Sequence, residues 1–228
     1  MTDAYDEPAG IAARGTVLVA AGRGETAEIY ARFGRRIAAD GYRVRILPDV
    51  TADPGGSLAA AEKLLADDAL PAPKVIVGPD AGALLALTLA ARETPGLDAL
   101  ILAGLPVPRP AIDLLGWDAE IEARTACPNH RRVLGEGGAS LQTDLPAELL
   151  GAGDVRLPTL GLHGDADPIS PLGEARGRYP GTLVTIAGGR HDVLNDVSHR
   201  TVAATVVLFL ERLRLGADLP AIAQVRRP

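Results

Sequence analysis

Lys74-Val-Ile-Val-Gly-Pro-Asp-Ala-Gly82 is a strand-length apolar run that breaks at two glycines flanking an aspartate, and a helix-length run of Ala and Leu follows it. By itself this is a strand-to-helix turn with two meanings. Asp80 is either a side-chain cap for the following helix or the central residue of a sharp functional turn. The surrounding chain repeats the same rhythm. Residues 16–21 are apolar and end in Gly22-Arg23-Gly24, and 25–40 carry Ile29, Phe33, Ile37 and Ala38 at helical spacing before a Gly41 cap. A second strand is expected over 43–47 and a helix over 55–68, with Leu58, Ala61, Leu64 and Leu65 on one face. Residues 81–92 predict a helix, and 98–103, 159–163 and 182–186 predict strands. The last helix is expected over 198–214, with Val202, Val206, Phe209, Leu210 and Leu213 facing inward.

Strands apolar on both faces and alternating with helices predict an α/β fold: a mostly parallel sheet of about six strands, covered on both sides. The 228 residues fit one domain, 1–228. The stretch 105–153 interrupts the rhythm. It opens with Pro106, Pro108 and Pro110, closes with Gly151 and Gly153, and carries a charged helix-like piece at 118–124. A connection this long in a compact domain is expected to be a short cap or lid.

Composition narrows the function classes. Net charge is −6 with acids and bases interleaved, which argues against nucleic acid as a partner, and 3% aromatic content supplies no stacking platform for bases. No apolar run approaches the roughly 20 residues of a membrane span. The N-terminus lacks a basic then apolar signal, and the lone Cys127 fits a reducing compartment, so a cytoplasmic location is expected. One Cys and one His three residues apart, Cys127 and His130, do not make a zinc site. Gly22-Arg23-Gly24 lacks the Lys-Ser/Thr ending of a phosphate loop. No cofactor or metal is expected, and the partner is a small molecule.

Two later segments give Asp80 its meaning. His163-Gly-Asp-Ala-Asp-Pro168 follows one predicted strand and Gly188-Gly-Arg-His-Asp192 follows the last. With the turn at 78–82, they put a nucleophile position, an acid and a histidine at the carboxyl ends of successive strands. From Gly15 to Leu215 the chain resembles the α/β-hydrolase superfamily, closest in style to the lysophospholipase and monoacylglycerol lipase branch. The matching text is Ala21-Gly-Arg-Gly-Glu25 with Tyr30 and Gly41-Tyr42, the turn at 78–82, His163-Gly-Asp-Ala-Asp167 and Gly189-Arg-His-Asp-Val-Leu-Asn195. The resemblance implies an α/β-hydrolase fold, with Asp80 at the nucleophile position, His191 as base, Asp167 as the acid orienting it, and an oxyanion hole from the backbone N–H groups of Arg23 and Ala81. Two positions depart from the family. Ala21 stands where the first motif usually has His, and Asp80 stands where most members have Ser.

An aspartate there changes the chemistry. Already ionised near neutral pH, it attacks without a base. Its natural electrophile is a saturated carbon in an epoxide or carbon–halogen bond, with an activated ester as a further candidate. His191 would then activate water to hydrolyse the alkyl-enzyme ester. Epoxide hydrolases of this fold present lid tyrosines and haloalkane dehalogenases a tryptophan after the nucleophile. Residues 105–153 contain no tyrosine, and Ala81 follows Asp80. Trp117, Arg124 and His130 are the insertion's candidate substrate-binding residues. Two alternatives stand beside this hydrolase on small apolar substrates: an ester or thioester hydrolase with Asp80 as general base, and a non-hydrolytic binding protein or lyase/cyclase reusing the pocket. His163 is expected to brace its loop, Asp165 to be a lesser rival to Asp167, Asp192 and Asn195 to pin the histidine loop, and Ser170 to act as a cap or turn residue.

Overall fold

The computed structural model describes residues 3–47, 49–108, 116–136, 144–149 and 154–224, with the side chain of Trp117 left aside. Among the described residues seven strands form one sheet: β1 (Asp3–Tyr5), β2 (Thr16–Val19), β3 (Arg43–Ile46), β4 (Lys74–Pro79), β5 (Ala99–Ala103), β6 (Thr159–Gly164) and β7 (Thr182–Ile186), in the order β1-β3-β2-β4-β5-β6-β7. All neighbours pair in parallel except β1, which runs antiparallel to β3. β1 is the strand beyond the six expected. At three residues, with Asp3 and Tyr5 only half-buried, it has no apolar run to announce it.

The helices are α1 (Ala31–Ala39), α2 (Pro54–Leu65), α3 (Ala81–Ala91), α4 (Trp117–Arg124), α5 (Pro128–Glu136), the single turn α6 (Leu172–Ala175) and α7 (His199–Leu215). Two apolar layers flank the sheet. Val17, Val19, Val75, Val77 and Ile101 point to the face covered by α1 and α7, where Phe33, Ile37, Val206 and Leu210 meet them. Leu18, Ile76, Leu100 and Leu102 point to the face covered by α2 and α3. This is the period-two alternation of a strand buried on both sides. α3 is buried all round, which explains its unbroken Ala/Leu sequence.

The helix expected over 25–40 begins only at Ala31, after a 3-10 turn at Ala27–Tyr30. The Gly22 N–H donates to Glu25 Oε2 (3.2 Å) and to the Tyr30 hydroxyl (3.1 Å), so residues 22–30 close a loop instead of extending the helix. Strand order reverses between β2 and β4, and their carboxyl ends open the crevice in which such sheets bind ligands. Among the described residues no helix is long and apolar enough to cross a membrane.

Candidate active site

Asp80 sits at the end of β4 with φ 45° and ψ −118°, a region that L-residues with a Cβ avoid. Its backbone is held on both sides: the Asp80 N–H donates to Ala103 O (3.0 Å), and Asp80 O accepts from the Ala83 N–H (2.9 Å). The glycines around it are required by contact. A Cβ on Gly78 would lie 2.2 Å from Gly82 O, and one on Gly82 would lie 1.9 Å from Ala20 O. Although Asp80 stands at the N-cap position of α3, its side chain makes no cap bond. The helix-cap meaning of the turn is therefore set aside, and the carboxylate turns into the crevice.

There it meets residues from three other loops. The His191 ring, after β7, donates from Nδ1 to Asp167 Oδ2 at 2.8 Å, and its Nε2 lies 3.3 Å from Asp80 Oδ1. That second approach is an ion-pair contact without hydrogen-bond angles, and Nε2 has no hydrogen-bond partner among the described residues. Asp167, after β6, accepts the N–H groups of Ile169 (2.9 Å) and Ser170 (3.0 Å) on Oδ1, and its Oδ2 faces His191, with His163 Nε2 at 3.3 Å on its other side. His163 braces this loop by donating from Nε2 to Ser170 O and accepting at Nδ1 from the Tyr179 hydroxyl, both at 2.7 Å. Asp165 is spent on a turn, accepting the Gly188 N–H (2.7 Å). Ser170 Oγ accepts the Val107 N–H (3.1 Å).

The loop after β2 supplies the most consequential contacts. The Arg23 backbone N–H donates to Asp80 Oδ2 at 3.1 Å, and its guanidinium forks over the same carboxylate: Nε to Oδ2 at 2.7 Å and Nη2 to Oδ1 at 3.1 Å. Ala81 opens α3, fully buried, beside Asp80. The sequence pointed to the Arg23 backbone; nothing in it pointed to the side chain, because no pattern in one chain tells a buried arginine from a solvated one.

α4 and α5 lie against the same loops. Arg124 is 0% exposed and donates to Glu25 Oε1 (3.1 Å), Glu120 Oε1 (3.2 Å), Asp192 Oδ1 (3.4 Å) and Arg23 O (3.4 Å). His130 Nε2 lies 3.0 Å from Asp192 Oδ2. Both candidate substrate-binding residues thus reach the site but are engaged by carboxylates there. Trp117 begins α4, and its side chain lies outside the described residues. Asp192 does more than pin its loop, since it joins that loop to both helices, and Asp196 adds bonds to Thr125 Oγ1 (2.9 Å) and the Ala126 N–H (2.8 Å). Asn195 Oδ1 is buried without a partner among the described residues.

Electrostatics follow from this packing. Burial alone would raise the Asp80 carboxyl, but the Arg23 guanidinium and His191 outweigh it and hold it well below the usual carboxylate range. Asp167 is lowered too, its burial overcome by His191 and its hydrogen bonds. Burial would lower His191, yet the Asp167 carboxylate, reinforced by Asp80, pushes it up to about 10. The resting ring is an imidazolium at neutral pH. Glu25 moves the other way: burial and the nearby Asp192 charge push it up to about 8, against the pull of Arg124.

Asp80 and His191 are each 2% exposed. The four cavities described lie elsewhere, and none is lined by Asp80, Arg23 or His191. Among the described residues no group of three or more His, Cys, Asp or Glu side chains is arranged to hold a metal ion.

No protein-family model matches the chain, and the comparison with curated protein sequences found no match. Solved structures do match. A monoglyceride lipase from Saccharomyces cerevisiae superposes at TM-score 0.72 with 16% identity, covering 92% of this chain and 90% of that one. A monoacylglycerol lipase from Paleococcus ferrophilus gives TM-score 0.74 at 13% identity, over 92% and 97%. The esterase RhEst1 from Rhodococcus sp. gives 0.69 at 17%, over 93% and 94%. The chain has the α/β-hydrolase fold.

Proposed function

We propose that this α/β-hydrolase-fold protein is a cofactor-independent hydrolase in which Asp80 attacks a saturated carbon of a small apolar molecule, an epoxide or a carbon–halogen compound, beside α4 and α5; the expected cap over 105–153 lies in part outside the described residues. The observation that carries this reading is the inequivalence of the two Asp80 oxygens on a strained turn. Oδ2 takes two donors, the Arg23 backbone N–H, as a carbonyl oxygen would be held in an oxyanion hole, and Arg23 Nε, while Oδ1 takes only Arg23 Nη2 at 3.1 Å and faces His191 Nε2 at 3.3 Å.

In the first step an Oδ1 electron pair forms the C–O bond, and the substrate's carbon–oxygen or carbon–halogen bond breaks, leaving an alkyl ester on Asp80. This removes the Asp80 charge, one of the two carboxylate charges that raise His191, so the imidazolium can release its proton. For an epoxide that proton balances the one the opened oxygen takes up; for a halide it leaves with the anion as acid. Neutral His191, oriented by Asp167, then takes a proton from water, and the hydroxide adds to Asp80 Cγ. Collapse expels the product alkoxide, which takes the carboxyl proton and restores the Asp80 carboxylate beside an imidazolium.

The lowered Asp80 counts against the alternative in which it serves as general base on water in ester or thioester hydrolysis, since that role needs a raised carboxyl. A second reading, the non-hydrolytic binding protein or lyase/cyclase, is favoured by one observation: the nucleophile is ion-paired and covered. Turnover of epoxides, haloalkanes and p-nitrophenyl esters, followed with intact-mass spectrometry, separates the readings. Asp80→Ala should abolish turnover and His191→Gln should accumulate an ester on Asp80. Absence of an adduct on every substrate that is turned over would sink the covalent mechanism, and no turnover at all, with ligand binding kept in His191→Ala, would favour the second reading.

A further inference from the structure

The Arg23 side chain has no part in the chemistry described so far, yet it makes the shortest polar contact to Asp80. Its Nε and its own backbone N–H converge on a single oxygen, Oδ2, at 2.7 and 3.1 Å, and Nη2 reaches Oδ1 at 3.1 Å. The loop is built to hold it there. The Gly22 N–H is tied to Glu25 and Tyr30, the Gly24 N–H donates to Thr51 Oγ1 (3.3 Å), and Arg124 donates to Arg23 O (3.4 Å). The guanidinium lies at the switch point between β2 and β4, inside the crevice and away from solvent. A cation desolvated against the nucleophile's carboxylate has a different effect on each half of a covalent reaction. In the resting site it stabilises the Asp80 charge and so restrains attack. Once Asp80 is esterified, that charge is gone, and the same donors point at the carbonyl oxygen where charge develops during hydrolysis.

We infer that the Arg23 guanidinium is a catalytic group of this site, a side-chain oxyanion donor that stabilises the tetrahedral intermediate at Asp80 Oδ2 while holding the resting carboxylate in check. The inference rests on the proposed Asp80 nucleophile. Arg23 forms no covalent bond: as water adds to Cγ, the C=O π pair moves onto Oδ2, Nε and the backbone N–H donate to it, and the pair returns when the alkoxide leaves. Arg23 thereby replaces a purely backbone hole with one carrying a full positive charge, suited to an alkyl ester whose poor leaving group makes its hydrolysis slow.

The two half-reactions test this directly, with 1,2-epoxyoctane and 1-bromooctane as probes and quenched intact-mass spectrometry plus peptide mapping as the readout. Arg23→Met keeps the length and removes charge and donors. It should form the Asp80 adduct at least as fast as wild type and hydrolyse it about 10²–10³-fold more slowly, the usual loss for one oxyanion donor. The ester should therefore accumulate in Arg23→Met even with His191 present. Arg23→Lys keeps the cation without the fork and should slow hydrolysis by a smaller factor; it also carries the test if the methionine variant does not fold. A merely structural arginine would slow both steps together, and that result, or unchanged adduct hydrolysis in either variant, overturns the inference. Adducts in His191→Gln with normal adduct hydrolysis in the Arg23 variants would refute Arg23 alone. No adduct in wild type or His191→Gln with either probe would refute the Asp80 nucleophile, and this inference with it.

Discussion

Arg124 is an arginine with no solvent contact, balanced by Asp192, Glu25 and Glu120. Removing one partner of a buried ion cluster strands the others at low dielectric, so Arg124→Ala should cost about 3–5 kcal/mol of stability, read as a lower midpoint in urea unfolding. Arg131→Ala, whose pairing with Glu122 at 3.9 Å is between half-buried and exposed side chains, should shift it little. Within this cluster burial and the Asp192 charge raise Glu25 against the pull of Arg124, while Arg124 holds Asp192 low despite its burial. Position 124 was picked out by the sequence as a substrate contact. Its charge was legible, but its three carboxylate partners come from residues 25, 120 and 192, and only folding gathers them.

At the scale of elements, the site depends on turns that leave no room for side chains. The β4–α3 turn was legible because a strand, two glycines and a helix follow one another without a gap, and the strain at Asp80 fits that pattern. The reason for Gly82 was not legible, since its Cβ would strike Ala20 O from the neighbouring β2. Gly82→Ala should therefore destabilise the protein by about 3 kcal/mol or more, because backbone cannot move aside as a side chain can. Gly188→Ala is milder in space, with nothing near its Cβ, and its cost comes from the positive φ of 65°. Urea unfolding of the two variants should rank them in that order. α4 and α5 were legible in part, through the charged piece at 118–124. Their attachment to the His191 loop through Asp192 and Asp196 was not, because those bonds span more than sixty residues.

For the molecule as a whole, the buried titrating groups set a pH dependence. His191 is raised from 6.5 to about 10 on folding, so its contribution is fully present below pH 6.5 and is lost as pH rises through about 10. Glu25, raised from 4.5 to about 8, acts in the same direction over a lower window: its contribution is present below pH 4.5 and lost by about pH 8. Asp80 and Asp167 are lowered, so theirs is present above pH 3.8 and lost on acidification. Tm should therefore fall on both sides of a maximum. Glu25→Gln should flatten the decline between about pH 4.5 and 8, and His191→Gln the decline between about pH 6.5 and 10. A Tm that stays level from pH 7 to 10 in the unaltered protein would contradict the buried imidazolium.

The sequence by itself determined the α/β architecture, the positions of the six longer strands along the chain and the three loops carrying Asp80, Asp167 and His191. These depend on apolar periodicity and on turn residues, which are local properties of the chain. The tertiary structure alone decided the charge state of the site. Arg23 folding over Asp80, Arg124 closing against the same loop, and His191 lying between two carboxylates depend on distances across strands and helices far apart in sequence. Desolvation and Coulomb forces grow steep only once water is excluded, so the charges on those side chains follow from burial, and burial is a property of the assembled fold.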